Sequence, residues 1–249
     1  MVLASNVTWL DVNEYIKSSK VPTVILPVGS VEAHGPHLPL TVDSIIAEAI
    51  ANEVGKKLKA LVLPPLHFGQ VWSLRKFSGT LWLENDTLSR VIYEIGAALR
   101  EHGFKLFIVI NGHIGNMGAL KNALRKLMDK DFHVMLFNPD LIRNIALKYI
   151  ESEFWHKTYF HAEEIETSLI LYLKPEAVKM ENAIADYPEV PFDLNYTFIS
   201  WEKLTKNAII GDPTKASAEK GKIIFEKTVN KIVEIVEREI KKLLANEIA

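Results

Sequence analysis

The stretch FKLFIVINGHIGN, residues 104–116, decides the fold of this chain. Its first part, FKLFIVI (104–110), is apolar on both faces, which is typical of a strand buried between two layers of helices. The strand ends in a short polar turn, NGH, and a helical pattern follows over residues 116–129. A buried strand that leads through a short turn into a helix is the repeating unit of a parallel sheet.

The same alternation of strand and helix continues on both sides of this stretch. The pattern predicts further strands at 23–29, 60–64 and 132–137, and further helices at 44–59, 85–101, 139–150, 163–173 and 216–244. Asp43 or Ser44 is expected to cap the first of these helices. We therefore expect an α/β fold with three layers, α/β/α, around a mainly parallel sheet.

The length of 249 residues fits one domain over residues 1–249. Residues 174–212 have little periodicity and contain Pro175, Pro188 and Pro191. We expect an irregular excursion there, and in a compact domain so long a segment serves as a functional lid or an oligomer contact.

The composition excludes several classes of protein. Lys and Arg number 29 and Asp and Glu 31, so a net charge of −2 gives no footprint for nucleic acid or an anionic membrane. Asp11 and Glu14 interrupt the first twenty residues, which argues against a signal peptide and favours a cytoplasmic protein. Cysteine is absent, so a metal would need nitrogen and oxygen ligands.

Residues that carry chemistry first appear in GSVEAHGPHLPLTVD, residues 29–43. Glu32, His34, His37 and Asp43 lie within twelve residues, directly after the first long strand. Ligands of open α/β sheets bind beyond the carboxyl ends of the strands, which is where this loop would lie. Any one of these residues alone is more often an ordinary member of a surface loop.

Two later segments can add to this cluster. NGHIGN (111–116) places His113 after the next buried strand, at the same end of the sheet. In HAEEIETS (161–168), Glu163 and Glu164 suit the first turn of a helix, whereas Glu166 precedes an apolar run and can turn inward. A buried carboxylate is costly unless it is paired or binds a metal.

Two histidines with two or three carboxylates and no sulfur form the ligand set of a hydrolytic Zn, Mn or Fe site. One aspartate can bridge two ions, a bound water then reaches a pKa of ~7, and a further histidine can protonate the leaving group. Other signatures are missing from the sequence, among them GxSxG, HExxH, GxxxxGK[ST] and GxGxxG.

Taken together, LPVGSVEAHGPHLPLTVD (26–43), NGHIGN and HAEEIETS resemble three motifs of the creatininase (creatinine amidohydrolase) family. IIGDPTKASAEKG (209–221) resembles the family's closing segment more weakly. The resemblance implies a layered α/β fold and two divalent metal ions per subunit, Zn, Mn or Fe(II). It also implies hydrolysis of C–N bonds in a small-molecule substrate, and homo-oligomers that are often hexamers.

The resemblance also implies roles for single residues. Glu32 and His113 would hold one ion, His34 the second, and Asp43 would bridge the two. Glu166 would complete the second ion's ligands or act as a catalytic base, and His161 would be the catalytic acid and base. A metal-binding glutamate of creatininase itself is replaced here by Gly115.

Departures from the family pattern concern the substrate. Val71 stands where creatininase has a serine that contacts substrate, and Lys157-Thr158 replace its Trp-Asp pair, which argues against creatinine. Archaeal formamide hydrolases of riboflavin and F420 biosynthesis, which deformylate a ribosylaminopyrimidine phosphate, are a second similar branch. Arg75, Lys76 and Lys157 could meet such a phosphate, and we expect His37 and Lys157 to contact substrate.

The sequence therefore predicts a metal-dependent amidohydrolase that uses a metal-activated hydroxide on an amide or formamide. Creatinine hydrolysis and peptide trimming are alternatives within the family. A non-catalytic protein that binds a metal or a metabolite on the same scaffold is the alternative from another class.

Overall fold

The computed structural model describes residues 2–153, 159–189 and 191–246. The first half of the chain contains, in order, β1 (Val2–Leu3), α1 (Trp9–Ser18), β2 (Thr23–Val28), α2 (Val42–Leu58), β3 (Leu61–Val62) and α3 (Asn85–Glu101). The second half contains β4 (Leu106–Asn111), α4 (Met117–Met128), β5 (His133–Phe137), α5 (Pro139–Ala146), α6 (Glu164–Leu173) and α7 (Ala218–Asn246).

The five strands form one sheet in the order β1-β3-β2-β4-β5, and every neighbouring pair is parallel. Side chains of a strand alternate between the two faces of a sheet. Ile25 and Ile108 accordingly pack in a core with α2, α6 and α7. Val24 and Phe107 pack on the opposite face with α3 and α4. The predicted three-layer α/β/α fold with a parallel sheet is confirmed.

The order of the strands creates a crevice for a site. From β2 the chain passes through α2 to β3 on one side, then returns through α3 to β4 on the other side of β2. The direction of winding therefore reverses between β2 and β4, which is where open α/β sheets bind ligands. Val28 pairs with Asn111, so the loops that follow these two strands begin side by side.

Several boundaries differ from the predictions. Helix α2 begins at Val42, and its N-cap, Thr41, makes no side-chain capping bond. The predicted capping by Asp43 or Ser44 is wrong, because the Asp43 carboxylate bonds Ser30 and the Ser44 hydroxyl donates to Ser30 O. The predicted helix 139–150 ends earlier, at Ala146.

The amino-terminal elements β1 and α1 were not predicted. Helix α1 begins with a capping box, in which Thr8 Oγ1 accepts from Asp11 N and the Asp11 carboxylate accepts from Thr8 N. Tyr15 anchors this helix to the sheet, because its hydroxyl donates to Thr23 O and accepts from Thr23 N, each at 3.0 Å. The pair Thr8 and Asp11 was the sequence signal for this helix.

Residues 174–212 contain short 3-10 helices instead of longer elements, at Pro175–Ala177, Met180–Asn182, Phe192–Asn195 and Trp201–Lys203. Asp186 organises part of this segment by accepting hydrogen bonds from Thr205 Oγ1 and Asn207 Nδ2. Trp201 N donates to Ser73 O, which ties the segment to the loop before α3. Within the described ranges, no helix has the length and apolar character needed to cross a bilayer.

Candidate metal centre

The crevice between β2 and β4 gathers six predicted site residues from separate parts of the chain. The loop after β2 supplies Glu32 and His34, and the first turn of α2 supplies Asp43. His113 follows β4, while His161 precedes α6 and Glu166 lies in its first turn. Their ligand atoms fall into overlapping groups of three, each within 4.8 Å: Glu32, Asp43 and His113; His34, Asp43 and Glu166; Glu32, His34 and His161.

Asp43 lies between two imidazole rings. Its Oδ1 atom is 3.2 Å from His34 Nε2, and its Oδ2 atom is 3.1 Å from His113 Nδ1. Ser30 Oγ donates a 2.6 Å hydrogen bond to the same Oδ2 atom and fixes the plane of the carboxylate. The two oxygens of this one carboxylate therefore face different histidines.

The far nitrogen of each ring is held by a backbone carbonyl. His34 Nδ1 lies 3.1 Å from Glu32 O, His113 Nε2 lies 2.8 Å from Gln70 O, and His161 Nε2 lies 2.7 Å from Ala33 O. A carbonyl only accepts hydrogen bonds, so each of these nitrogens carries the proton when the ring is neutral. The nitrogens that face the cluster are then unprotonated, which is the form that binds a metal.

Burial and mutual charge shift the protonation of the cluster. Burial opposes the charged form of His34, but the carboxylates of Asp43, Glu166 and Glu32 outweigh it and raise the pKa of His34 to about 9. Burial raises the pKa of Glu166 to about 7. Burial and the neighbouring His34 hold the pKa of His161 well below its usual value.

These residues fit a divalent metal ion. Glu32 Oε2 is buried and has no hydrogen-bond partner within the described part of the chain. Carboxylate oxygens of Glu32 and Asp43 lie 3.1 to 3.2 Å from the ring nitrogens of His34 and His113, and a cation can take the place of a proton between such donors. Oxygen and nitrogen donors without sulfur suit Zn, Mn or Fe.

Asn116 and Gly112 hold the loops around the cluster. Asn116 Nδ2 donates to Gly29 O at 2.9 Å, and its Oδ1 accepts from Gln70 N at 2.8 Å. At Gly112, an added Cβ atom would lie 2.2 Å from the backbone oxygen of Asp43. The absence of a side chain there lets the loop after β4 approach the first turn of α2.

Glu166 is directed into the cluster by the start of α6. Its Oε2 atom accepts from Ala162 N at 2.6 Å and lies 3.9 Å from His34 Nε2. The neighbouring carboxylates of Glu163 and Glu164 make structural contacts instead. Glu163 caps α6 by accepting from Ile165 N, and Glu164 bonds Ser152 N and pairs with Lys220.

A cavity of about 210 Å³ opens onto the cluster. We call it the metal-site cavity. Its polar side is formed by Glu32, Asp43, His113, His161 and Glu166, and its apolar side by Val71, Trp72, Leu74, Tyr159, Phe160 and Trp201. Gln70 and Trp201 were missed in the sequence, because they lie in irregular segments without periodicity or a motif.

Of the two residues expected to contact substrate, His37 does not line this cavity and Lys157 falls outside the described residues. His37 is buried beside α6, with its Nε2 atom 2.9 Å from Thr167 Oγ1, so its ring does not line the cavity. Arg75 does not line the cavity either, because its guanidinium stacks over the Trp72 ring, 4.1 Å from the centroid.

Comparison with known proteins places this chain in a family. The model of the creatininase family, described as creatinine amidohydrolase, matches residues 5–236. The chain belongs to the creatininase family. Its family and the hydrolases among its relatives identify it as a metal-dependent amidohydrolase.

Among the relatives of this creatininase-family chain, creatinine amidohydrolase of Pseudomonas putida is 27% identical, over 96% of this chain and 97% of the relative. The mycofactocin precursor peptide peptidase of Mycolicibacterium smegmatis is 29% identical, over 88% of this chain and 86% of the relative. The two relatives act on different substrates, so overall similarity to family members leaves the substrate open.

Solved creatininase structures share the fold and include metal-bound forms. A manganese form has a TM-score of 0.84 at 25% identity, over 96% of this chain and 98% of that chain. A Zn–Zn form of a creatininase variant has a TM-score of 0.83 at 25% identity, over 95% and 97%. A variant complexed with creatine has a TM-score of 0.78 at 25% identity, over 95% and 98%.

Proposed function

We propose that this creatininase-family chain hydrolyses a C–N bond of an amide or formamide in a small molecule, with two divalent ions bound in the metal-site cavity. The observation that carries the proposal is the position of Asp43. It belongs to two three-residue groups that each suit an ion, and one of its oxygens faces each group.

The two groups define the ligands. Glu32, Asp43 and His113 would hold one ion, and His34, Asp43 and Glu166 the other. When bound, such a pair of ions makes a water molecule acidic enough to react near neutral pH and polarises the oxygen of a carbonyl. Zn, Mn and Fe(II) all suit these donors.

His161 supplies proton transfer. Its Nε2 proton is committed to Ala33 O, so Nδ1 has a free lone pair on the side of the cluster, 3.9 Å from Glu32 Oε1. The ring stays neutral near pH 7 because burial and His34 depress its pKa. Nδ1 can therefore take a proton from water and release it to the leaving nitrogen, which completes hydrolysis of the C–N bond.

Glu166 fits the role of a ligand better than that of a base. Its carboxylate is held on one side by Ala162 N and faces His34 on the other. It belongs to a group of three donors that Asp43 completes. A base would have to exchange protons with the substrate, whereas this geometry fixes the carboxylate against a second donor.

The size of the cavity supports a small-molecule substrate. A volume of about 210 Å³ corresponds to roughly seven water molecules at ~30 Å³ each. A phosphate-bearing formamide is a second candidate. Arg75 over Trp72, a residue of the cavity wall, favours it, because a substrate's phosphate could lie at this rim while the formamide enters the cavity.

Assembly into a homo-oligomer, such as a hexamer, is part of the proposal. Phe192, Tyr196 and Phe198 are 93%, 83% and 92% exposed, and exposed aromatic side chains in one segment favour contact with another chain. Light scattering coupled to size-exclusion chromatography tests this.

Metal counting joined to an assay tests the proposed function. The wild type and Asp43→Asn are loaded with Mn, Zn or Fe(II) and assayed on creatinine, small formamides, amides and short peptides. We expect two ions per wild-type chain and hydrolysis of at least one amide or formamide. Asp43→Asn should lose both ions and nearly all turnover.

Asp129→Asn changes an exposed aspartate at the end of α4 and serves as the matched control, which should keep both ions and full turnover. Tight binding of two ions without hydrolysis of any compound would support the non-catalytic alternative. Unchanged metal content in Asp43→Asn would contradict the shared ligand.

A further inference from the structure

Part of the wall of the metal-site cavity, next to the metal cluster, is built from apolar and aromatic side chains. Val71 and Leu74 are buried there in a small cluster of their own, and Trp201 packs against them. Tyr159 completes this side next to Trp201, with the two ring centroids 6.0 Å apart and nearly perpendicular. A substrate in the cavity would therefore contact both the metal cluster and these rings.

Trp201 has a fixed position in this wall. Its backbone N–H donates to Ser73 O at 2.9 Å. Its ring meets the His161 ring edge to face, with centroids 5.6 Å apart and planes at 77°. The indole is thus held between the loop before α3 and the residue that would transfer the proton.

The carboxylates and imidazoles of the cavity wall all belong to the metal cluster. They are those of Glu32, Asp43, His113, His161 and Glu166, and Tyr159 adds a phenol outside the cluster. Among the described residues that line the cavity there is no Lys or Arg. In the described lining, a charged group of the substrate that lies against Trp201 would meet no partner of opposite sign outside the metal cluster, and burying it there would be unfavourable.

We infer that Trp201 determines specificity, by selecting substrates in which a planar, uncharged aromatic or heteroaromatic group adjoins the scissile C–N bond. Flat rings stack on or meet aromatic faces with a favourable energy beyond that of burial, whereas a puckered ring of the same size does not. This inference rests on the proposed function, because the amide must bind in the metal-site cavity.

Four amides of equal size, each with nine non-hydrogen atoms, test the inference on both sides of the C–N bond. Benzamide and cyclohexanecarboxamide place the ring on the carbonyl side, and formanilide and N-cyclohexylformamide place it on the nitrogen side. Calorimetry gives the Kd of each for the metal-loaded protein, and initial rates give KM where a compound is hydrolysed.

We expect the wild type to bind at least one planar compound about fivefold or more tightly than its saturated partner. In Trp201→Leu this ratio should fall close to one, and in Trp201→Phe most of it should return. Trp82→Leu, which removes a half-exposed tryptophan outside the cavity lining, should keep the wild-type ratio. The change should appear in Kd or KM more than in kcat.

Equal affinity for planar and saturated compounds in the wild type, or an unchanged ratio in Trp201→Leu, would overturn the inference. Absence of binding by all four compounds would also overturn it. Metal content is measured on every variant, and it separates this failure from failure of the proposed function, since Trp201 is not among the metal-ligating groups.

Discussion

The Nε2 atom of His37 lies 2.9 Å from the Oγ1 atom of Thr167, although the two residues are 130 positions apart in the chain. His37 belongs to the loop after β2, and Thr167 follows Glu166 in α6. Both side chains are buried. Their hydrogen bond therefore fixes the helix that carries Glu166 against the loop that carries Glu32 and His34.

Removing this bond should destabilise the protein. Thr167→Val keeps the shape of the side chain but leaves the buried His37 Nε2 without its partner, which we expect to lower the free energy of unfolding by about 1–3 kcal/mol. Thr228→Val is the matched control, because Thr228 is equally buried and its hydroxyl has no partner within the described residues. Urea unfolding should show little change in the control, and equal losses in both variants would contradict the prediction.

His161→Asn should separate proton transfer from metal binding. We expect the variant to retain two ions while kcat falls by about 10²–10⁴-fold, the usual contribution of a general acid and base. Glu166→Gln is the companion variant and should lose one ion. Loss of an ion from His161→Asn would instead make His161 a ligand, together with Glu32 and His34.

Gly112→Ala should distort the metal cluster by pushing against the backbone of Asp43. The new Cβ atom would lie 2.2 Å from Asp43 O, so α2 and the Asp43 carboxylate must shift. We expect a loss of stability of at least about 2 kcal/mol together with weaker metal binding. Gly118→Ala has only ordinary contacts in the exposed first turn of α4 and should be neutral or stabilising by up to about 1 kcal/mol. Equal behaviour of the two alanine variants in thermal unfolding and metal titration would count against this account.

Removing the metal should lower thermal stability. A site that binds only the folded chain stabilises it by about 2.7 kcal/mol when the free metal concentration is one hundred times Kd. A chelator should therefore lower the Tm of the wild type by several degrees, and added Zn or Mn should restore it. In Asp43→Asn the chelator should have no effect, and a Tm that falls equally in both proteins would show that the metal acts elsewhere.

Ionisation of Tyr15 should lower the free energy of unfolding at alkaline pH. Burial raises its pKa above the usual value of 10.0 in the folded protein, and in the unfolded chain it ionises near that value. The contribution of Tyr15 to the free energy of unfolding is therefore complete below pH 10. It is lost as the pH rises above 10 and through the pKa of the folded protein. Tyr15→Phe should cost about 1–3 kcal/mol at pH 7, because Thr23 loses two hydrogen bonds, and its free energy of unfolding should fall less steeply above pH 10. Parallel curves for the two proteins would contradict the prediction.

The parts of the fold that follow from the sequence are those with a strong local pattern. The apolar runs that form β2 and β4 sit at the centre of the sheet, and α3 begins and ends where its pattern predicts. The strands β1 and β3 have two residues each, too few for any periodicity. Helix α1 has no fully buried residue, and its apolar face is limited to Val12, Tyr15 and Ile16, which pack partly buried against the core. Its capping box was a further signal that the sequence offered.

The candidate site likewise has residues that the sequence predicts and residues that only the structure reveals. Glu32, His34, Asp43 and His113 follow two predicted strands, so the topology of a parallel sheet brings them together. Trp201 could not be found, because only contacts made in three dimensions, such as its bond to Ser73 O, place it beside His161. The expectation that His37 contacts substrate rested on its neighbours in sequence, which belong to the cluster, whereas its ring lies beside Thr167 and outside the lining of the metal-site cavity.

The spread of the cluster along the chain, from Glu32 to Glu166, sets the order of events during synthesis. Once His113 has been synthesised, the group of Glu32, Asp43 and His113 is complete, whereas the group of His34, Asp43 and Glu166 still lacks its last member. The two ions would therefore bind in order, and the second could be captured only after α6 has been made and has packed against the loop after β2.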